Sequence, residues 1–217
     1  MTTPAPPPGA PDDEPGDAAA MLEIVRAQQD RVNRRMAANV PPILLAWGIA
    51  WFVGFGLLWF IDGAKPAVSI PLPVAVVIFI VLMAGALIAT AILGIRSGRG
   101  IRSTPDSAFT GSVYGMTWTI GFVAIAVFGT ALIRNGMPPE LANIYYPTAS
   151  TLFVGIMYIL AGGIWRSRAA LAMGGWIVLV ALVAPFFGYP ANYLIFSLAG
   201  GGVFLASALV AWLWVRR

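Results

Sequence analysis

The sequence predicts an all-α, polytopic membrane protein: six transmembrane helices arranged as three tandem hairpins, preceded by a cytoplasmic amphipathic helix. Three observations lead there. Apolar residues make up 59% of the 217 residues and charged residues only 10%, where a soluble domain carries about 25% charge. Apolar runs of about twenty residues, the length that crosses ~30 Å of hydrocarbon at 1.5 Å per residue, recur six times. Basic residues gather at alternate ends of those runs.

Residues 1–16 hold six prolines, three acids and no large apolar side chain, too little to offset the entropy of ordering, so a disordered tail is expected. It has neither a basic n-region nor an apolar h-region, and the mature chain is expected to keep its N-terminus. Residues 17–40 read as a helix opened by Asp17 as N-cap. Met21, Leu22, Val25, Val32 and Met36 fall on one stripe at 100° per residue, and Glu23, Arg26, Asp30, Arg31 and Arg34 take the other side. Such a helix either lies in the membrane interface with its arginines among anionic headgroups or packs on a partner as a short coiled coil. Pro41 and Pro42 end it, and residues 41–217 form the transmembrane domain. Its spans run roughly from Ile43 to Ile61, Pro71 to Ile95, Ser112 to Ile133, Pro147 to Trp165, Ala169 to Gly188 and Asn192 to Val215. Because lipid offers no partner for backbone polar groups and the runs do not alternate, they are helices.

Eleven of the thirteen basic residues fall on one side of this layout. Arg26, Arg31, Arg34 and Arg35 precede the first span, Arg96, Arg99 and Arg102 follow the second, Arg166 and Arg168 follow the fourth, and Arg216 and Arg217 end the chain. Lys65 and Arg134 lie opposite. Positive-inside bias then places both termini in the cytoplasm of a plasma (inner) membrane. Trp59, Tyr145, Tyr146, Tyr189 and Tyr193 gather at the outer level, where an aromatic belt belongs.

An internal repeat supports the hairpins. Trp47-Gly48-Ile49-Ala50-Trp51-Phe52-Val53-Gly54-Phe55 in the first span matches Tyr114-Gly115-Met116-Thr117-Trp118-Thr119-Ile120-Gly121-Phe122 in the third at four of nine positions. The second and fourth spans both end in Gly-Ile followed by arginines, and the fifth keeps Gly175-Trp176. Trp51, Trp118 and Trp176 lie about 9 to 12 Å from the expected cytoplasmic ends. They either line a cavity open to the cytoplasm, or pack between helices or face lipid. Small residues at four-residue spacing (Ala46, Ala50 and Gly54; Gly85 and Ala89; Ala86, Thr90 and Gly94; Gly202 and Ala206) serve internal packing or a homo-oligomer face.

Absent residues exclude much chemistry. Without cysteine or histidine there are no disulfides, thiolate nucleophiles, Cys/His zinc sites or imidazole shuttles, and no cofactor or metal site is expected. The single lysine, Lys65, precedes a proline, so no phosphate loop ending in GK[ST] exists and the chain cannot hydrolyse ATP through one. No nucleophile, base and oxyanion donor come together in any loop, and an enzyme is not expected. The arginines cluster at the ends of apolar runs, which argues against nucleic acid as a partner. None of the nine acids lies inside an expected span, so proton relays and ion sites lack their usual parts, and a substrate would be neutral, apolar or lipid-like. The loop from Arg96 to Gly111 is the largest expected cytoplasmic feature after the N-terminal segment, and Asp62 and Arg134 can pair on the outside.

The acidic proline-rich tail, the arginine-rich helix, Trp47-Gly48-x-x-Trp51 and the six spans together resemble six-helix integral membrane proteins of actinobacterial type, some loosely labelled transporters. The resemblance implies a plasma-membrane location and association with exporter components, and it transfers no functional residue. Two functions fit. One is a transporter or permease-like subunit relying on a separate cytosolic ATPase, with Trp51, Trp118 and Trp176 lining its cavity. The other is a non-transporting scaffold or regulatory protein that binds a partner. In both, Arg26, Arg34, Arg96, Arg99 and Arg102 are the expected contacts to partner or lipid headgroup.

Overall fold

The computed structural model describes residues 19–28, 38–64, 70–98 and 104–215, and every element among them is helical. Helix α1 covers residues 19–28. The spans follow as α2 (Val40–Asp62), α3 (Leu72–Gly98), α4 (Pro105–Arg134) and α5 (Pro139–Ile164). The fifth is α6 (Arg168–Val183) continued by a 3-10 turn (Ala184–Phe187). The sixth is composite: α7 (Ala191–Ile195), a π-helical stretch (Phe196–Gly201) and α8 (Gly202–Val215). All six are long and apolar enough to cross a membrane, so this is an all-α, multi-pass integral membrane protein.

Three boundaries differ from expectation, each for a local reason. Pro41 and Pro42 do not precede α2 but sit in its first turn, where a missing N–H leaves no bond unmade. The expected loop from Arg96 to Gly111 is largely helical: α3 continues to Gly98, and α4 starts at Pro105 with Thr104 as N-cap, its Oγ1 accepting from the Ser107 N–H at 3.3 Å. Helix α5 likewise begins at Pro139 and runs through Pro147, so most of the expected outer loop is helix. The turn between α4 and α5 closes on Gly136 at φ +94°, with the Met137 N–H donating to Leu132 O at 3.0 Å.

Consecutive helices pack on one another, α2 on α3, α4 on α5 and, most extensively, α5 on α6, while the sixth span packs chiefly on α2 and only slightly on α6, its partner in the third hairpin. Side-chain bonds fix which ends lie together. Asn39 donates to Ser97 Oγ at 2.7 Å, joining the start of α2 to the end of α3 at what we call the basic end. Tyr189 donates to Asp62, and Asn192 donates to Asn143 O at 3.1 Å, joining the opposite, aromatic end.

The hairpins are not equivalent, although the repeat suggested that they would be. In α2 and in the fifth and sixth spans a third of the most apolar window is buried, but in α3 and α4 only 6% is. Thus α2 and the fifth and sixth spans sit inside, with α3 and α4 as outer flanks, and the matching nonapeptides of α2 and α4 meet different surroundings. The first buries Gly48, Ala50, Trp51, Gly54 and Phe55, whereas Gly115, Met116, Thr119 and Ile120 of the second are exposed. The odd-numbered spans α2, α4 and α6 form no substantial mutual interface.

Close backbone approach holds the interior. Helix α2 lies against the sixth span so tightly that a Cβ on Gly201 would come 2.5 Å from the backbone N of Phe52. A Cβ on Gly155 of α5 would come 2.8 Å from the backbone N of Val178 of α6. Lipid tails are as apolar as leucine, so association rests on such van der Waals contact rather than on expelling water. Gly85, Gly94 and Gly202, which the four-residue spacing had also singled out, have no neighbouring side chain to meet. Trp51, Phe55, Phe196 and Phe204 fill the space between α2 and the sixth span, with ring centroids 5.3 to 5.7 Å apart in successive pairs.

Candidate functional site

The three tryptophans singled out by the repeat sit in different surroundings. Counted from the observed helix starts, Trp51, Trp118 and Trp176 lie about 17, 20 and 12 Å along α2, α4 and α6. Trp51 is 5% exposed and packs edge-on against Phe55 and Phe204 beside Gly200. Trp118 packs on Phe153 of α5 at 5.6 Å and on Tyr114 at 6.1 Å. Trp176 is 45% exposed and donates its indole N–H to Ala199 O at 3.0 Å, inside the π-helical stretch. Each ring therefore sits at one helix contact, which is the packing alternative to a shared cavity.

Of the expected contact arginines, Arg26 and Arg96 are exposed, while Arg34, Arg99 and Arg102 lie outside the described residues. On α1, Met21, Leu22, Ile24 and Val25 are each more than half exposed, while Val32 and Met36 of the expected stripe lie outside the described residues. Asp62 takes Tyr189 rather than Arg134.

The polar groups inside the bundle concentrate where the helices are irregular, and sequence reasoning missed them. Pro147 has no N–H, so the carbonyl of Asn143, four residues earlier, lacks its helical donor. The fully buried Asn192 supplies that donor through Nδ2 at 3.1 Å. Its Oδ1 and the nearby-in-sequence Thr148 Oγ1 are buried without a protein partner. In the π-helical stretch, whose wider turn shifts the hydrogen-bond register, Ser197 donates to Phe52 O at 2.7 Å across to α2. The signal for the first of these was present: a proline inside an apolar run implies one orphaned carbonyl and hence a donor elsewhere. Nothing in the run Phe196–Gly201 beyond its glycines marks the π register.

At the aromatic end, Tyr189 bonds Asp62 and packs at 5.7 Å on Tyr193, whose ring reaches Phe55. Burial, then the hydrogen bond and charge of Asp62, push the Tyr189 phenol well above its ordinary range, so it stays a neutral donor. Among the described residues no group of acids is placed to hold a metal ion.

At the basic end, an open groove of about 260 Å3 lies between α4 and α5. Its walls are apolar, with Thr110, Tyr114 and Thr117 as the polar lining residues. The Tyr114 hydroxyl donates to Met157 O at 3.1 Å, and Trp165 closes on the Tyr114 ring at 4.8 Å. None of Trp51, Trp118 and Trp176 lines it. Comparison with protein-family models, with curated proteins and with solved structures found no match.

Proposed function

We propose that this chain is a non-transporting scaffold or regulatory protein of the plasma membrane, with its basic end in the cytoplasm, binding a partner there through α1 and the segment joining α3 and α4. One observation carries the reading: Trp51, Phe55, Phe196 and Phe204 occupy the space between α2 and the sixth span, with Gly200 against the Trp51 ring and Gly201 closing the contact onto the α2 backbone. A permease path would need hydrated, rearrangeable packing at that place. The apolar stripe of α1 and the exposed Arg26 and Arg96 support the choice of docking elements. The reading assigns no reaction.

A second reading is favoured by the irregular helices. Transporters bind substrate where spans are discontinuous, and here Pro147 interrupts the bonding of α5 while the sixth span carries the π-helical stretch. This is the permease-like subunit served by a separate ATPase, for a neutral, apolar or lipid-like substrate. Affinity purification from native membranes in mild detergent separates the two. The scaffold reading expects a near-equimolar partner that binds no nucleotide and is lost when Arg26 and Arg96 are both replaced by Glu. A near-equimolar nucleotide-binding ATPase, or a partner retained by that double variant, overturns it.

A further inference from the structure

We infer that the groove between α4 and α5, together with Arg166 and Arg168, is a binding site for one anionic phospholipid, its acyl chain in the groove and its phosphate at the turn between α5 and α6. The inference does not rest on the scaffold reading, since a permease can hold such a lipid equally well.

Begin with the turn. Helix α5 ends in a Schellman motif: the Ser167 N–H donates to Gly162 O at 2.9 Å, and Arg166, the residue after the cap, adopts φ +51°. The same motif ends α4 with Gly136 at the left-handed position, as its geometry favours. An L side chain there is disfavoured, so arginine at 166 is locally the worse choice. Arg168 is also locally disfavoured, because it is the first residue of α6, where the helix dipole favours acids, and no acid stands in that first turn. Orientation of the chain in the membrane accounts for arginines somewhere in this connection. It does not account for the left-handed position or the helix start. An anion at the turn offsets both disadvantages.

The groove supplies the second half. Phe109 and Val113 of α4 face Met157, Leu160 and Ile164 of α5, and Ile164 is two residues from Arg166. Eight residues separate Phe109 from Thr117, so the groove descends about 12 Å from the basic end. A gap opening sideways into hydrocarbon is filled by what surrounds it, and an acyl chain is what lies there. Trp165, which follows Ile164 and is 53% exposed, stands at headgroup level, the usual place of interfacial tryptophan. Charge is complementary as well: neither Arg166 nor Arg168 forms an ion pair among the described residues, and both are exposed. Asp106, in the first turn of α4, is the one acid on the wall carrying Phe109 and lies at its own helix N-terminus. Basic residues beside a cleft between spans are how membrane proteins select acidic headgroups.

The test uses the full chain purified in detergent and exposed to equal amounts of phosphatidylglycerol and phosphatidylcholine with identical chains, with retained lipid read by native mass spectrometry. Wild type is expected to keep phosphatidylglycerol about tenfold over phosphatidylcholine. Arg166→Gly relieves the left-handed strain, so it should melt no lower than wild type while losing about threefold of the preference. The double variant Arg166→Gly/Arg168→Gln should lose the preference altogether. Val113→Trp fills the groove and should shed both lipids. Arg134→Gln, at the far end, should change nothing. Equal retention of the two lipids by wild type, an intact preference in the double variant, full retention by Val113→Trp, or an equal loss in Arg134→Gln would each overturn the assignment.

Discussion

Adjacent glycines in the sixth span offer a sharp test of what holds the bundle together. In Gly201→Ala the added methyl would lie 2.5 Å from the backbone N of Phe52 and 2.7 Å from its Cα, atoms that cannot swing aside as a side chain does. The sixth span must then move off α2, loosening the 2.7 Å bond from Ser197 to Phe52 O and the contact of Trp51 with Gly200. Overpacking of this kind costs about 1 to 3 kcal/mol, and an interhelical hydrogen bond in a membrane is worth about 0.6 kcal/mol more. Alanine gains back at most about 1 kcal/mol of helix propensity. The net loss, about 0.6 to 2.6 kcal/mol, corresponds to a fall of roughly 1 to 10 °C for a chain of this size. Gly202→Ala is the matched control, since a methyl there meets nothing within 4 Å and keeps the propensity gain. Thermal unfolding in one detergent, followed by tryptophan emission, compares the two. If Gly201→Ala melts at or above Gly202→Ala, the α2 contact is not the tight seam described.

Two further outcomes follow from the polar groups. Asn192→Ala leaves Asn143 O without a donor and should cost about 1 to 3 kcal/mol, but far less on a Pro147→Ala background, where residue 147 regains its own N–H; equal costs in both backgrounds would remove the proposed partnership. Because the Tyr189 phenol is raised above its ordinary 10.0 in the folded state, the protonated form is the one that folding favours. Its contribution is complete below pH 10.0 and is lost as pH climbs from there toward the folded value, so Tyr189→Phe should flatten part of the alkaline fall in thermal midpoint, and an unchanged profile would refute the Asp62 clasp.

The number and kind of spans were legible in the sequence because the bilayer sets a length that apolar runs either meet or miss. Which spans lie inside was not. Helix α3 is the most apolar span and among the least buried, since in lipid an apolar face carries no instruction to pack. Glycine carries that instruction, but only where a partner backbone is near: Gly155 and Gly201 sit at seams, while Gly85 and Gly94 look identical in sequence and meet nothing. The tryptophan repeat marks similar sequences in dissimilar surroundings: Trp51 is buried against Phe55 and Phe204, while Trp176 is 45% exposed. Arg166 was legible as a residue but not as a conformation, because a Schellman end with arginine in the left-handed position departs from the usual glycine.

The seams are unequal in a way that bears on how this protein works. Helix α2 meets the sixth span, and α5 meets α6, through glycines that allow backbones to touch, and separating either pair forfeits a long row of close contacts. Helix α4 touches α5 alone among the spans to any extent, through ring packing and two hydroxyl bonds, Tyr114 to Met157 O and Tyr145 to Ile125 O. Those two bonds are worth about 1.2 kcal/mol together at 0.6 kcal/mol each. Helix α3 is held to α2 more extensively, by Trp47 to Thr90 at 2.9 Å, by Asn39 to Ser97 at 2.7 Å and by the Phe79 ring packed on Gly54, with Ala75 and Ala86 buried. A partner or lipid that offers comparable packing can therefore shift α4 for less free energy than opening the interior costs. Ligand-driven change is as large as the difference in affinity between two states allows, and in this fold that difference need be small only at α4. The arginine-bearing segment proposed above as a docking element leads directly into α4.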